Sequence, residues 1–476
     1  MVTTKSNLER VAGGPFRWLT KFGGSDLPDK LGIREVTERA LHGVGAAAGR
    51  LMSGAPRAPA LARLARRKTS DASRARSATT PASAPPATAT PPSRASEPAR
   101  LAAVISAGAF DLAPTEDQEM VRATARRFAD ETMRPAAHAA DAAVAPDPKV
   151  LAAAQELMLA ALVVPESAGG MAETRASVTT VLALEELARG DLGLALAIAA
   201  PLGVATALVE YGTAAQQQRW LPKFTADAFF PAALAVLEPA PGSDPLRPRT
   251  GAVRVPGGWA LHGAKALVPL GQSAELFVVL AEIRGAGPRL FLVPRATPGL
   301  TVTPQPAMGL RAAGLCSLRF DGAFVPDDAL VGGAKVDDAA FDPAELVGRA
   351  RIAWGAMAVG GARAVLDYVI PYCNERKAFG EPITNRQAVA FMIADLAIEL
   401  DGMRLLVHRA AALADRGAPV AHAAALVRVQ CGAKAMKAGT DGVQLLGGHG
   451  FVKEHPVERW YRDLRAIAIM EGALLA

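Results

Sequence analysis

Apolar positions between residues 115 and 224 recur every three or four residues, the spacing of helices that bury one face. Thr115, with Gln118 three residues on, is a capping-box start, and Val121, Ala125 and Phe128 follow it at helical intervals. A second helical block runs through ALEELARGD (183–191) and on to Phe224. Inside it, the stretch from Leu192 to Val209 is uncharged and close to membrane-spanning length. It contains Gly193, Pro201 and Gly203 and is rich in alanine, so the expectation is a buried core helix with a break. From about residue 231 the period shortens. ELFVVLAEI (275–283) and RLFLVPR (289–295) are short apolar runs, and SLRFDGAFVP (317–326) alternates, with Leu318 and Phe320 on one face and Arg319 and Asp321 on the other. Pro256-Gly257-Gly258 between AVRV and WALHG is a hairpin signal. A small antiparallel β domain is expected here. Beyond residue 343 helices return and are long. Leu396, Leu400, Met403 and Val407 form one stripe, and Gly417 with Pro419 supply its stop, so the expectation is an antiparallel helical bundle.

The first hundred residues differ from this body. Val36, Leu41, Val44, Ala48 and Leu51 predict an amphipathic helix in an N-terminal extension, 1–53, that packs on the body or docks on a membrane or partner. Residues 54–108 are dominated by Ala, Pro, Ser, Thr and Arg, a composition too poor in large apolar groups to offset chain entropy, and read as a disordered linker. The remaining divisions expected are a helical domain at 109–230, a β domain at 231–340 and a bundle at 341–476. Charge follows the same partition: residues 1–100 hold 17 Lys+Arg against 7 Asp+Glu, so the other 376 are net −4 within an overall formal charge of +6. The body is therefore not a nucleic-acid binder, while the basic tail suits a peripheral contact, with anionic lipid one candidate. Cys316, Cys373 and Cys431 lie far apart without paired spacing, which fits a reducing compartment and a cytoplasmic location. The seven histidines form no ligand cluster, so no metal is expected. Lys5, Glu9 and Arg10 precede any apolar run, which argues against a secretory signal.

Neither GxSxG, a Walker loop nor a GxGxxG after a strand is present, which leaves acyl-hydrolase, nucleotidase and Rossmann readings without their minimal features. Instead a set of ordered motifs runs from about residue 111 to the end: EDQEMVRATARRFA (116–129), ALEELARGD, LEPAPGSD (237–244), MGLRA (308–312) with FDGAFVPDDALVG, AVLDYVIPYCNERKAFGEPI (364–383), GVQLLGGHGFVKEHPVERWYRD (442–463) and IMEG (469–472). Together they resemble the acyl-CoA dehydrogenase family. The fold implied is multi-domain α+β: an N-terminal helical domain, a middle antiparallel β domain and a C-terminal helical bundle. The resemblance implies FAD as cofactor, an acyl-CoA substrate, an electron-transferring flavoprotein or similar acceptor, and a homo-oligomer whose neighbouring subunits complete the flavin site. Glu471 matches the family's catalytic base; an alternative base position falls on Ala350, which cannot take a proton. Cofactor contacts carried over are Val236, Leu237, Val268, Pro269, Arg376, Gln387, Gln444, Gly447, Gly448 and Gly472. Ser243 and Arg351 match substrate-side positions. The implied chemistry is loss of an α-proton to Glu471 and of a β-hydride to flavin, giving a trans-2-enoyl-CoA. An apolar neighbour such as Met470 would raise the base's pKa.

The flavin-facing positions depart from the family pattern. Its threonine in TEP is Leu237 here, its WIT triplet is Leu267-Val268-Pro269, and MGxRASxT has become MGLRAAGL. Hydroxyl donors are lost at each, and Pro269 also lacks an N–H. After Gly472 the family continues into another helix with a threonine at 473, where this sequence has Ala473 and ends at Ala476. Two other readings therefore stand beside the dehydrogenase: a flavin oxidase or monooxygenase acting on another activated carbon acid, and a non-catalytic acyl-CoA or flavin-binding scaffold of the same fold.

Overall fold

The computed structural model describes Pro98 and residues 100–103, 113–333 and 341–476. The chain divides into two compact units, Met1–Pro91 and Pro92–Ala476, and every described residue belongs to the second. The helix expected within 1–53 lies outside the described residues. Residues 100–103 fall in the stretch expected to be linker, yet they lie against the body. Arg100 donates to the carbonyls of Val209 and Gly212, and Ala102 pairs with Thr174. One arginine capturing two carbonyls at a helix end is enough to anchor so short a segment.

The helical domain begins with α1 (Glu116–Phe128), whose Thr115 and Gln118 form the expected capping box. A π-helical turn, Ala129–Met133, joins it to α2 (Arg134–Ala143). Then follow α3 (Pro148–Gln155), α4 (Ser177–Gly190), α5 (Leu192–Tyr211) and α6 (Ala214–Phe224). α5 is long and apolar enough to cross a membrane but is wholly buried inside the protein. The break expected in it is absent. Pro201 sits inside a continuous helix, its lost hydrogen bond outweighed by burial on every side, and Gly203 serves packing instead. A Cβ there would stand 2.8 Å from the carbonyl oxygen of Ala473.

The β domain is one seven-stranded sheet: β1 (Ala232–Ala235), β2 (Gly251–Val255), β3 (Gly258–Val268), β4 (Leu276–Ile283), β5 (Gly287–Pro294), β6 (Leu300–Pro304) and β7 (Cys316–Pro326). The order is β1-β4-β2-β3-β7-β6, with β5 on β4. The β2–β3 hairpin turns on Pro256-Gly257 as expected. One departure from an antiparallel domain is that β4 pairs parallel with both β1 and β2. Its continuous apolar run is that of a strand covered on both faces, a pattern silent about partner direction. The alternation of β7 slips at Gly322, where a bulge opposite β3 leaves Leu318 and Phe320 buried before it and Ala323 and Val325 buried after it.

The bundle comprises α7 (Pro343–Glu375), α8 (Gln387–Asp415), α9 (Ala421–Leu446) and α10 (Val457–Leu464), with a two-residue ladder, β8 (Lys377–Ala378) and β9 (Glu381–Pro382), after α7. The α8 stripe of Leu396, Leu400, Met403 and Val407 is buried throughout. The three parts are tied by buried carboxyl groups. Asp191 caps α5 through Leu194 N–H and pairs with Arg459 of α10 at 3.0 Å, while Asp463 accepts from the N–H of Leu310 at 2.6 Å.

Burial, reinforced by the nearby charge of Asp191, pushes the Asp463 carboxyl up to about 8 from its ordinary 3.8. The folded state thus binds this proton more tightly than the unfolded chain. The stability it contributes is complete below 3.8 and is lost as pH rises through about 8. Asp463→Asn keeps an acceptor for Leu310 and cannot ionise. Urea midpoints measured from pH 5 to 9 are expected to fall in wild type and to stay flatter in the variant.

Candidate active site

Glu471 lies just beyond the bundle's last helical turn, on a segment that runs back between α5, α7 and β1. Gly472 (φ +70°) makes the bend, and a Cβ on it would stand 2.3 Å from a Val236 methyl, so only glycine admits the strand here. The Gly472 carbonyl accepts from the indole N–H of Trp354 at 2.8 Å, and Ala473 bridges to Leu234 of β1. The carboxylate is 7% exposed. It does not have the apolar surroundings expected from Met470. Arg351 of α7 donates to it through Nη2 (2.9 Å) and Nε (3.1 Å), and Arg428 of α9 stands 3.2 Å away. Met470 contributes its carbonyl to Arg428 at 2.8 Å.

Val236, which packs on Gly472, and Leu237 follow the end of β1, and Leu267 and Val268 close β3 with Pro269 next. Leu267 takes a left-handed conformation (φ +52°), with its N–H given to the Gln305 side chain at 2.8 Å. The wall these residues make is apolar. Behind it lies Lys265, 0% exposed, whose ammonium donates to the Val236 carbonyl (3.1 Å) and to Glu238 (2.9 Å). Burial pulls the Lys265 ammonium down to about 8. Its charge and the N–H groups of Arg249 and Thr250 hold the Glu238 carboxyl below its ordinary value despite burial.

A separate cavity of about 610 Å³ opens where the α7 C-terminus, the start of α8 and the end of α9 converge. Arg376, Arg386, Gln444, Gly447, Gly448 and His449 are among its lining. Gly447 has φ +56°, and Cβ atoms on it or on Gly448 would meet nothing within 4 Å, so the backbone there faces open space. Two guanidinium groups and an uncovered glycine backbone fit a diphosphate. The β1–β3 wall, with no side-chain hydroxyl, fits a flat ring by packing rather than by hydrogen bonds.

The residues singled out from the sequence thus fall into two groups. Val236, Arg351 and Gly472 lie at Glu471, with Leu237, Val268 and Pro269 on the adjoining ends of β1 and β3, and Arg376, Gln444, Gly447 and Gly448 line the cavity. Gln387 is exposed at the start of α8, next to the cavity-lining Ala388. Ser243 closes its own loop, its hydroxyl directed at the Glu238 carbonyl at 3.4 Å. Ala350 is buried on α7, next to Arg351. Arg428, Trp354, Lys265 and Arg386 were not anticipated. Of these, Lys265 carried a signal, because it has the same parity along β3 as the buried Trp259 and Leu261.

The chain matches three domains of one family: acyl-CoA dehydrogenase N-terminal domain (115–227), middle domain (233–323) and C-terminal domain (344–474). It is 34% identical over 368 residues to the mitochondrial short-chain specific acyl-CoA dehydrogenase of Bos taurus, covering 75% of this chain and 87% of that protein. Among solved structures, butyryl-CoA dehydrogenase from Megasphaera elsdenii superposes with a TM-score of 0.69 at 27% identity, over 76% of this chain and 96% of that one. A glutaryl-CoA dehydrogenase from Mycobacterium smegmatis in complex with FADH2 gives 0.68 at 26% identity, over 75% and 92%.

Proposed function

Since this chain belongs to the acyl-CoA dehydrogenase family, we propose that it oxidises the α,β bond of an acyl-CoA thioester, with FAD as cofactor and Glu471 as base. The observation that carries this reading is a buried carboxylate, Glu471, oriented by two guanidinium groups on a turn whose next residue, Gly472, packs on Val236 at the end of β1. FAD, when bound, supplies the acceptor for the hydride that leaves the β-carbon. Arg376, Arg386 and the Gly447-Gly448 backbone would hold its diphosphate, with Gln444 and Gln387 toward the adenosine. Val236, Leu237, Val268 and Pro269 would pack on its ring.

Glu471 takes the α-proton and becomes a neutral acid, while the electron pair of that C–H bond enters the new double bond. An enolate-like oxygen develops on the thioester. The backbone N–H of Glu471 makes no hydrogen bond among the described residues and stands ready to donate to that oxygen. Burial of Glu471 to 7% exposure limits water at the carboxylate, which favours proton transfer over its hydration. The product is a trans-2-enoyl-CoA. Phe379 and Phe451, 94% and 86% exposed near the cavity, suit burial by a second copy of the chain, which would complete the flavin site. An electron-transferring flavoprotein would reoxidise the enzyme.

The test is anaerobic mixing of purified protein with acyl-CoAs of increasing length, following the oxidised flavin band. Bleaching by at least one supports the reading; no bleaching by any favours a binding protein of the same fold. A second expectation concerns cofactor retention. Arg376→Ala removes a charge-assisted contact to the diphosphate, which costs about 1.5–3 kcal/mol, or roughly tenfold to a hundredfold in affinity. Flavin remaining after extensive dialysis should drop well below wild type; equal retention would move the diphosphate elsewhere.

A further inference from the structure

Arg428 projects from α9 into the turn that carries Glu471. Its Nη1 donates to the carbonyls of Ile467 (2.6 Å) and Met470 (2.8 Å), its Nη2 donates to the carbonyl of Ala468 (2.9 Å), and the same Nη2 stands 3.2 Å from Glu471 Oε1. Four contacts thus fall within five consecutive residues. Two backbone bonds, from the N–H groups of Ile469 and Met470 to the Ala466 carbonyl, begin this turn, but the carbonyls of Ile467, Ala468 and Met470 converge on one point and repel one another, so the positive fork at their centre is what holds them together. A guanidinium suits the task because its five N–H groups lie in one plane and point in fixed directions.

Arg351 is bound differently. Its Nε and Nη2 donate to the Glu471 carboxylate, and among the described residues it has no other hydrogen-bond partner. Its side chain is 27% exposed. With both arginines in place Oε1 is engaged from two sides and Oε2 by Arg351 Nε, so both oxygens are occupied before any substrate arrives. One guanidinium has to yield. Arg428 can leave only by releasing three carbonyls as well as the carboxylate, whereas Arg351 gives up its contacts to Glu471 alone. The next cation on α7, Arg349, is paired with Glu210 at 2.9 Å and is not a substitute.

We propose that Arg428 is the positioning residue of the base: it fixes the 467–471 turn and holds Glu471 in place while Arg351 yields to the incoming acyl group. This rests on Glu471 being the base, and the experiment separates the two claims. Lysine at 428 keeps the charge, but a single ammonium cannot serve three carbonyls and the carboxylate from fixed directions. In Arg428→Lys, flavin content and acyl-CoA affinity are expected to stay within about threefold of wild type. The rate constant of anaerobic flavin reduction at saturating acyl-CoA should fall on the order of tenfold to a hundredfold, the range that follows from small misplacement of a reacting group. Arg428→Gln should fall further, and Arg351→Lys should fall less than Arg428→Lys. Three outcomes overturn the proposal: reduction at the wild-type rate in Arg428→Lys, a larger loss in Arg351→Lys, or loss of soluble flavin-loaded protein in Arg428→Lys, which would assign the residue to the fold. Wild type that no acyl-CoA bleaches, or Glu471→Gln that bleaches as fast as wild type, defeats instead the assignment of the base, whatever the arginine variants do.

Discussion

Glu471→Gln is expected to bind flavin and acyl-CoA and to reduce the flavin at least 10²–10⁴-fold more slowly than wild type, the range for removing a positioned general base. Glutamine keeps the length of the side chain and one oxygen to accept from Arg351 or Arg428. The three carbonyl bonds of Arg428 do not depend on the carboxylate, so the 467–471 turn should survive. What the amide cannot do is take the α-proton. Among the described residues no neighbouring acid stands in for it: Ala350, where the resemblance puts the family's other base, cannot take a proton, and Glu210 is engaged by Arg175 and Arg349. Stopped-flow bleaching of the oxidised band, with flavin content measured on the same samples, separates lost chemistry from lost cofactor. Equal bleaching in the two proteins would place the base elsewhere.

The features legible in the sequence are those set by residues close together along the chain. Thr115 and Gln118 announce the start of α1 because a capping box is three residues long. Pro256-Gly257 announces the β2–β3 hairpin because a two-residue turn fixes its register. Leu396 to Val407 mark the buried face of α8. What escaped depends on contacts between distant segments. Nothing in ELFVVLAEI says that β4 pairs parallel with β1 and β2, since a strand buried on both faces looks alike in either direction. Pro201 reads locally as a breaker, and only complete burial of α5 shows why the helix runs on. Motif resemblance singled out Glu471 and Arg351, which the structure pairs with each other, but was silent on Arg428, which lies 43 positions from the carboxylate it faces and in no recognisable motif. The same resemblance gave cofactor contacts without dividing them, whereas the structure puts some at the apolar ends of β1 and β3 and others around a cavity lined by Arg376 and Arg386.

Lys265 carries the second large expectation, on stability and on the integrity of that wall. Its ammonium is completely buried and donates to the Val236 carbonyl and to Glu238. Glu238 in turn accepts the N–H groups of Arg249 and Thr250 at 2.8 Å each. Lys265→Met fills most of the volume but strands a buried carboxylate, and breaking a buried pair from one side costs about 3–5 kcal/mol. The Val236 carbonyl loses its donor as well, so the strand end that packs on Gly472 and the proposed ring wall should loosen together. Urea denaturation of the flavin-loaded protein should show the loss, along with faster flavin release. The double variant Lys265→Met, Glu238→Gln removes the stranded charge while keeping an acceptor for Arg249 or Thr250, and should recover a large part of the stability. A single variant as stable as wild type would mean that Glu238 finds another cation or a proton when Lys265 is gone. A double variant no better than the single would locate the cost in the Val236 carbonyl rather than in the charge, and the ammonium would then matter to this site as a hydrogen-bond donor more than as an ion.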